Sequence, residues 1–253
     1  MASITLSDVS LEFPLYHGSS RSLKKTLLSI AQLRSLSRDH NRIVLRALNR
    51  VSLSIAHGDR IGLIGHNGAG KTTLLRVLAG VYEPSAGHLQ VDGEVSALLD
   101  VGLGLNPDAT GYENIILGGL YLGLHPAEIR RLAPAIAEFT ELGEFLHMPV
   151  RTYSAGMAVR IGFAVATATK PEILLMDEWL LAGDAHFLEK ARQRIDAFVR
   201  QSQILLLASH SLAIIEMWCT KVVWLDKGRV VMVGDPASVL SRYTGRGDST
   251  ARH

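Results

Sequence analysis

Residues 65–72 read Gly65-His66-Asn67-Gly68-Ala69-Gly70-Lys71-Thr72, which fits the spacing G-x-x-x-x-G-K-[ST] of a phosphate-binding loop. Glycines let the backbone approach a phosphate closely and point its N–H groups inward, and a following helix N-terminus adds partial positive charge. Lys71 is predicted to reach the β- and γ-phosphates of a nucleotide, and the Thr72 hydroxyl to bind Mg²⁺. Residues 65–72 are called the phosphate loop below, and Thr73 is assigned to the same nucleotide site.

The segments that flank the phosphate loop have the expected character. The run Arg60–Ile64 is typical of a buried strand, and it follows a second predicted strand, Val51–Ile55, across the turn His57-Gly58-Asp59. A helix is predicted from Gly70 to about Ala79, with Gly80 ending it. A strand before the loop and a helix after it indicate an α/β nucleotide-binding fold.

The rest of the chain alternates predicted strands and helices, which favours a mainly parallel sheet with covered faces. Residues 3–13 are interpreted as an edge strand with a bulge at Ser7–Asp8, and helical patterns dominate from Gly111 to about Ala168. The tail after Tyr243 is expected to fray. Further strands are predicted at Leu89–Val91, Val95–Leu98, Ile173–Met176, Ile204–Ala208 and Val222–Leu225, with a hairpin over 226–233.

Two carboxylates end the apolar strand Ile173–Met176. Adjacent residues of an extended chain point in different directions, so Asp177 and Glu178 are suited to separate roles. We expect Asp177 to orient Mg²⁺ and Glu178 to polarise the attacking water as a general base. His210 follows the strand Ile204–Ala208 and is a candidate sensor of the γ-phosphate.

Composition limits the possible partners. The 253 residues carry a net charge of only +2, so no nucleic-acid partner is expected, and no apolar run reaches the ~18 residues that span a bilayer. The single cysteine, Cys219, excludes an intrachain disulfide. Basic residues are concentrated in 21–50, where residues 22–36 are predicted to form an amphipathic basic helix. This helix either contacts acidic lipid headgroups or a partner, or only covers the sheet edge.

The segment Tyr153-Ser154-Ala155-Gly156-Met157 resembles the Leu-Ser-Gly-Gly-Gln signature of ABC ATPases. Its position between the phosphate loop and the acidic strand, followed by Gly183-Asp184 and His210, matches the order of motifs in that family over nearly the whole chain. The resemblance implies one P-loop NTPase domain of ABC type over residues 1–253. That domain has a mainly parallel sheet core, an antiparallel β-subdomain and a helical lobe at about 105–165.

The resemblance also implies a dimer that closes head to tail around two ATP molecules, with Mg²⁺. In such a dimer Ser154, Ala155, Gly156 and Met157 contact ATP held by the other copy, and Asp184 lies at the seam. An aromatic residue stacks on adenine, for which Tyr16 is the candidate and Phe13 the alternative. The usual glutamine is missing where Leu99-Asp100 stands, so Asp100 is the candidate to replace it near Mg²⁺.

Within the family the chain is most similar to subunits that export O-antigen, capsule or teichoic acid. Three stretches carry this similarity: residues 96–105 with 110–114, residues 153–157, and residues 177–180 with 182–185 and Phe187. It implies a peripheral ATPase at the cytoplasmic face of the bacterial inner membrane that powers export of a lipid-linked polysaccharide. It also implies a membrane permease as partner, held at grooves near the Gly102–Thr110 loop and the helical lobe.

The chain ends at His253, so no C-terminal carbohydrate-binding domain is expected. Importer or lipid-exporter subunits remain alternatives, as does a soluble ABC ATPase. The soluble class usually inserts coiled coils or zinc modules, for which the sequence shows no space and no cysteine pairs. A P-loop GTPase is disfavoured because no Asn-Lys-x-Asp guanine-binding motif is present.

Overall fold

The computed structural model describes residues 1–15, 36–39, 42–99, 104–177 and 185–250. The chain divides into two compact units, Met1–Gly93 with Ile204–His253 (unit 1) and Glu94–Gln203 (unit 2). None of the helices in the described ranges has the length and apolar character required to cross a bilayer.

The elements have the following bounds. In chain order the strands are β1 (Ser3–Leu15), β2 (Leu36–Asp39), β3 (Arg42–Ala56), β4 (Arg60–Ile64), β5 (Ala86–Asp92), β6 (Val95–Leu98), β7 (Ile173–Asp177), β8 (Ile204–Ala208), β9 (Lys221–Asp226) and β10 (Arg229–Gly234). The helices are α1 (Lys71–Leu78), α2 (Gly111–Tyr121), α3 (Pro126–Thr140), α4 (Ala155–Ala166), α5 (Ala185–Gln201), α6 (Leu212–Trp218) and α7 (Pro236–Thr250), with 3₁₀ turns at Gly143–His147 and Val150–Thr152.

Unit 1 contains an antiparallel sheet in the order β2-β3-β1-β5. The prediction of an edge strand at residues 3–13 is wrong, because Ile4 of β1 pairs with Ile55 on one side and with Val91 on the other. The predicted bulge is confirmed: the register shifts after Leu6, and Asp8 has a φ of 50°. The helix predicted over 22–36 lies outside the described residues except for its last residue, which begins β2.

The strands that carry the phosphate loop form a second layer in unit 1, in the order β10-β9-β4-β8. β4 runs parallel to both neighbours and pairs Leu63 with Ala208 on β8 and with Val223 on β9. All five residues of β8 are buried. The carboxyl ends of β4 and β8 therefore lie at one edge of this layer, where the phosphate loop begins.

The end of unit 1 differs from expectation in one respect. The predicted hairpin is confirmed, since β9 and β10 meet at Lys227 and Gly228, which have φ values of 48° and 73°. The fraying predicted after Tyr243 is wrong, because α7 continues to Thr250. A polar sequence that contains glycine is compatible with a helix as well as with an irregular tail.

Unit 2 places the parallel strands β6 and β7 with helices α2 to α5. The rings of Phe139, Phe163 and Phe187, from α3, α4 and α5, lie within 5.8–6.3 Å of one another. The guanidinium of Arg160 on α4 stacks on Phe187 at 4.6 Å, and that of Arg194 on α5 stacks on Phe139 at 4.3 Å. Aromatic pairs and stacked cations each add stability beyond burial alone, so α4 is held firmly between its neighbours.

Candidate nucleotide-binding site

The glycines of the phosphate loop are required by close backbone packing. Gly65 and Gly70 have φ values of 148° and 107°, a region that side chains disfavour. A Cβ on Gly65 would lie 2.2 Å from the carbonyl oxygen of Leu225, and one on Gly70 would lie 2.9 Å from that of Ala47. The loop is therefore wedged against β9 and β3, with its remaining surface open for a ligand.

The loop leads directly into α1, as the sequence predicted. Gly70 caps the helix and accepts a hydrogen bond from the Leu74 amide at 2.8 Å. The helix ends as expected, with Ala79 as its last cap and Gly80 at a φ of 71°. The first amides of α1 point back toward the loop, which is the arrangement that binds anions at a helix N-terminus.

The Lys71 side chain lies buried beneath the phosphate loop and is hydrogen-bonded to it. It is 8% exposed, and its Nζ donates to the carbonyl oxygens of Gly65 at 2.7 Å and His66 at 3.4 Å. A buried ammonium group needs partners, and here the loop's own oxygens supply them. An incoming phosphate offers stronger, charged acceptors to the same ammonium group.

We expect Gly65→Ala to disrupt this geometry. The added methyl group would overlap the Leu225 carbonyl oxygen, so the loop must shift, and overpacking of this kind costs about 1–3 kcal/mol. ATP affinity, measured by titration calorimetry, should fall by about five- to 150-fold. Gly80→Ala is the matched control, because Gly80 also has a positive φ but a Cβ there meets open space. Equal ATP affinity in both variants would contradict the role given to this contact.

His210 lies at the same edge of unit 1 as the phosphate loop. It follows Ser209, which comes directly after β8, and its side chain is exposed. Ser209 is buried, and its Oγ accepts from the Ser211 amide at 3.0 Å, which fixes the turn that presents His210. The parallel register of β4 and β8 brings these segments together although they are far apart in sequence.

Ser154 is the N-cap of α4 in unit 2. Its Oγ accepts from the Met157 amide at 3.2 Å, so the hydroxyl caps the helix and keeps its hydrogen available to donate. A Cβ on Gly156 would meet nothing closer than Ser154 Oγ at 3.9 Å. A cavity of about 490 Å³ opens beside these two residues and is also lined by Phe145 and Arg160. The start of α4 thus combines a helix N-terminus, a hydroxyl donor and an open surface.

Asp177 is the last residue of β7, and its side chain is half-buried. Hydroxyl and carboxylate oxygens, as on Thr72 and Asp177, are the hard donors that Mg²⁺ prefers, and this ion usually takes one or two protein ligands beside substrate phosphates. Within the described ranges, no group of three or more His, Cys, Asp or Glu side chains is placed to hold a metal. The Thr72 hydroxyl and the Asp177 carboxylate are thus each suited by their chemistry to Mg²⁺.

Comparison with known proteins identifies the family. The model of the ABC transporter family matches residues 48–181, more than half of the chain. The chain belongs to the ABC transporter family. It is 41% identical to the O-antigen export system ATP-binding protein RfbE of Yersinia enterocolitica, over 91% of this chain and 97% of that protein.

Other members of the ABC transporter family are similar over comparable stretches. The O-antigen export system ATP-binding protein RfbB of Myxococcus xanthus is 43% identical over 96% of this chain, but the chain spans only 56% of that protein. A solved structure described as the ATP-binding subunit of an ABC transporter has a TM-score of 0.67 and 22% identity, covering 96% of this chain and 94% of its own. A dimeric cassette with ADP and Pi has a TM-score of 0.66 and 19% identity, over 92% and 98%. These structures show the fold.

Several residues assigned from the ABC resemblance lie outside the described residues. They are Tyr16, Asp100, Glu178 and Asp184. Phe13, the alternative adenine partner, is described: its ring packs edge-on against Tyr82 with centroids 5.3 Å apart. Because that ring already has an aromatic neighbour, the geometry favours a packing role for Phe13 and leaves Tyr16 as the candidate.

The sequence did not indicate what supports the phosphate loop from outside. The amide of Gly228, in the turn between β9 and β10, donates to the Ala69 carbonyl oxygen at 2.8 Å, and Gly228 in turn accepts from the Asn49 amide. The ring of Tyr243 on α7 lies 5.7 Å from that of His66, centroid to centroid. These partners are remote in sequence, and local patterns do not report such contacts.

Proposed function

We propose that this chain binds and hydrolyses ATP to power export of a lipid-linked polysaccharide across the bacterial inner membrane. The observation that carries the ATP part is the phosphate loop, with Lys71 buried beneath it and glycines packed against β9 and β3. The names of relatives that are 35–43% identical over most of the chain support the export part, since they are O-antigen and teichoic acid export ATP-binding proteins. The chain would act at the cytoplasmic face through a permease.

The proposed hydrolytic site uses one ATP and the following groups. Loop amides from Gly65 to Thr73 and the Lys71 ammonium hold the phosphates. Thr72 and Asp177, with Asp100 as a third candidate, would hold Mg²⁺, which when bound neutralises charge on the phosphates. Glu178 accepts a proton from the attacking water, and His210 contacts the γ-phosphate from the end of β8.

A second copy of the chain is proposed to complete each site. In this arrangement the Ser154 hydroxyl donates to a γ-phosphate oxygen held by the other copy, while the bare backbone of Gly156 allows close approach. The cap geometry supports this role, because Ser154 Oγ accepts a hydrogen bond from the Met157 amide and its own O–H can still donate. ATP binding would close the dimer, and hydrolysis would reopen it.

The permease is proposed to dock on α2. The side chains of Tyr112, Ile116 and Leu120 recur every four residues and are 38%, 43% and 46% exposed, so they form one apolar stripe on the helix surface. Exposed apolar stripes of this kind mark interaction sites. An apolar helix of a membrane subunit has matching chemistry.

The loop before α2 is rigid enough to serve as part of the same docking face. Asn114 is fully buried, its Oδ1 accepts from the Asn106 amide at 2.7 Å, and its Nδ2 donates to carbonyl oxygens of the loop, including that of Thr110 at 2.9 Å. The amide and hydroxyl of Thr110 donate to the carboxylate of Glu113 at 2.7 and 2.9 Å, which holds the pKa of Glu113 below its ordinary value. Residues 106–110 are therefore fixed by α2 itself.

Deletion and complementation test this function. A strain lacking the chain should accumulate lipid-linked glycan inside the cell and lose it from the surface, and wild-type protein should restore export. A variant with Ile116→Gln and Leu120→Gln should fail to restore export, although the purified protein retains ATPase activity, because its permease contact is lost. Val81→Gln, at a 61% exposed apolar residue of unit 1, is the matched control and should restore export.

The results against this proposal are equally specific. Surface glycan at wild-type levels in the deletion strain would exclude polysaccharide export. Full restoration by the double variant would exclude the α2 stripe as the permease contact.

A further inference from the structure

Three aromatic rings connect the phosphate loop to the last helix of unit 1. The ring of Tyr243 on α7 lies 5.7 Å from that of His66 in the phosphate loop and 5.4 Å from that of Trp224 on β9. The Tyr243–Trp224 pair is edge-to-face at 79°, a favourable geometry for aromatic rings. Tyr243 is half-buried, and burial raises the pKa of its phenol above the ordinary value.

His66 is a sensitive point of the loop. Its carbonyl oxygen accepts from the Ala69 amide at 3.0 Å and from Lys71 Nζ at 3.4 Å, so its backbone position sets both the turn and the lysine beneath it. Its side chain is exposed, as are Asn67 and Gly68 after it, whereas Gly65 before it is buried. The Tyr243 ring gives this exposed side chain a fixed aromatic neighbour.

The position of Tyr243 is itself well determined. Trp224 is 5% exposed and belongs to β9, the strand whose Leu225 carbonyl oxygen packs against Gly65. α7 also contacts both strands of the β9–β10 hairpin. Tyr243 thus packs on β9, the same strand that the loop backbone contacts. Its ring contacts the loop at His66, whereas β9 contacts the loop at Gly65.

We propose that Tyr243 is a positioning residue for the phosphate loop, which holds His66 through ring contact and so keeps the loop arranged for nucleotide. This inference rests on the proposed ATP-binding function, and it adds a role for α7. A loop that is already arranged loses less conformational freedom when ATP binds. A contact that positions the loop without touching the reacting atoms supplies uniform binding energy, which changes KM and leaves kcat almost unchanged.

Steady-state ATPase kinetics and ATP titration on the purified full chain test the role. Tyr243→Ala should raise the ATP Kd and KM by about three- to tenfold, the range that one aromatic contact supplies, with kcat altered by less than about twofold. Tyr243→Phe keeps the ring and should stay close to wild type. Ser241→Ala, at an exposed residue on the same helix, should have no effect.

A double-mutant cycle with His66→Ala separates this role from a general loss of stability. If the rings act together, Tyr243→Ala should weaken ATP binding little further in a His66→Ala background. Independent, multiplicative losses in the double variant would overturn the proposal, as would an equal loss in Tyr243→Phe and Tyr243→Ala. Wild-type protein that fails to bind ATP would instead refute the proposed function, so the two failures are distinguishable.

Discussion

Glu178→Gln should bind ATP with near-normal affinity and hydrolyse it about 10²–10⁴-fold more slowly than wild type, the range that a positioned general base contributes. Glutamine keeps the size of the side chain but has no carboxylate to accept a proton from the attacking water. Bound ATP should then persist, and the protein should accumulate as a closed dimer. Single-turnover hydrolysis and size-exclusion chromatography with ATP measure the two effects.

The control for this variant is Glu189→Gln. Glu189 is an exposed residue of α5 whose carboxylate accepts from Gln193 one helical turn away, and its loss should leave hydrolysis unchanged. Normal turnover by Glu178→Gln would remove Glu178 from its assigned role. Slow turnover without an ATP-dependent dimer would support Glu178 as the general base. It would contradict the proposal that a second copy of the chain completes each ATP site.

Lys71→Met should abolish productive ATP binding and reduce hydrolysis by about 10²–10³-fold, the effect of removing one preorganised donor from developing charge. Methionine retains the apolar stem that packs under the loop but has no ammonium group. The carbonyl oxygens of Gly65 and His66 lose a donor in the absence of ATP, and the phosphates lose one in its presence. The free protein should still fold, because the buried apolar contacts of α1 remain.

Thermal unfolding with and without ATP measures this loss directly. A ligand present at a hundredfold excess over its Kd stabilises a protein by about 2.7 kcal/mol, which raises the Tm of a chain of this size by roughly 5–10 °C. Wild type and the exposed control Lys170→Met should show that rise, and Lys71→Met should not. An undiminished ATP-dependent rise in Lys71→Met would show that the ammonium group does not hold the nucleotide.

Local patterns were sufficient for the elements around the phosphate loop. β4 and β8 have the predicted bounds, and α1 ends at Leu78, with Ala79 as its cap before the predicted Gly80. The physical reason is that strand burial, helix capping and positive φ depend on a few adjacent residues. The motif order in the chain was likewise sufficient to predict the family that the comparisons show.

Patterns of the same kind failed where pairing between strands decided the result. The alternation in β1 shows which side chains face the core, but it does not show how many strands are hydrogen-bonded beside it. β5 pairs with β1 on the side that was expected to be open. A strand in the middle of an antiparallel sheet and a strand at its edge therefore have the same period in sequence.

The sequence alone thus specified the chemistry of the loop: the glycines that allow its backbone conformation, the charge of Lys71 and the helix α1 that follows. The tertiary structure decided how the loop is held. The Leu225 carbonyl oxygen accounts for Gly65, the Gly228 amide holds Ala69, and Tyr243 lies against His66. Each of these partners comes from the last fifth of the chain, and only folding brings them to the loop, because contacts between distant segments follow from strand order and helix packing rather than from local spacing.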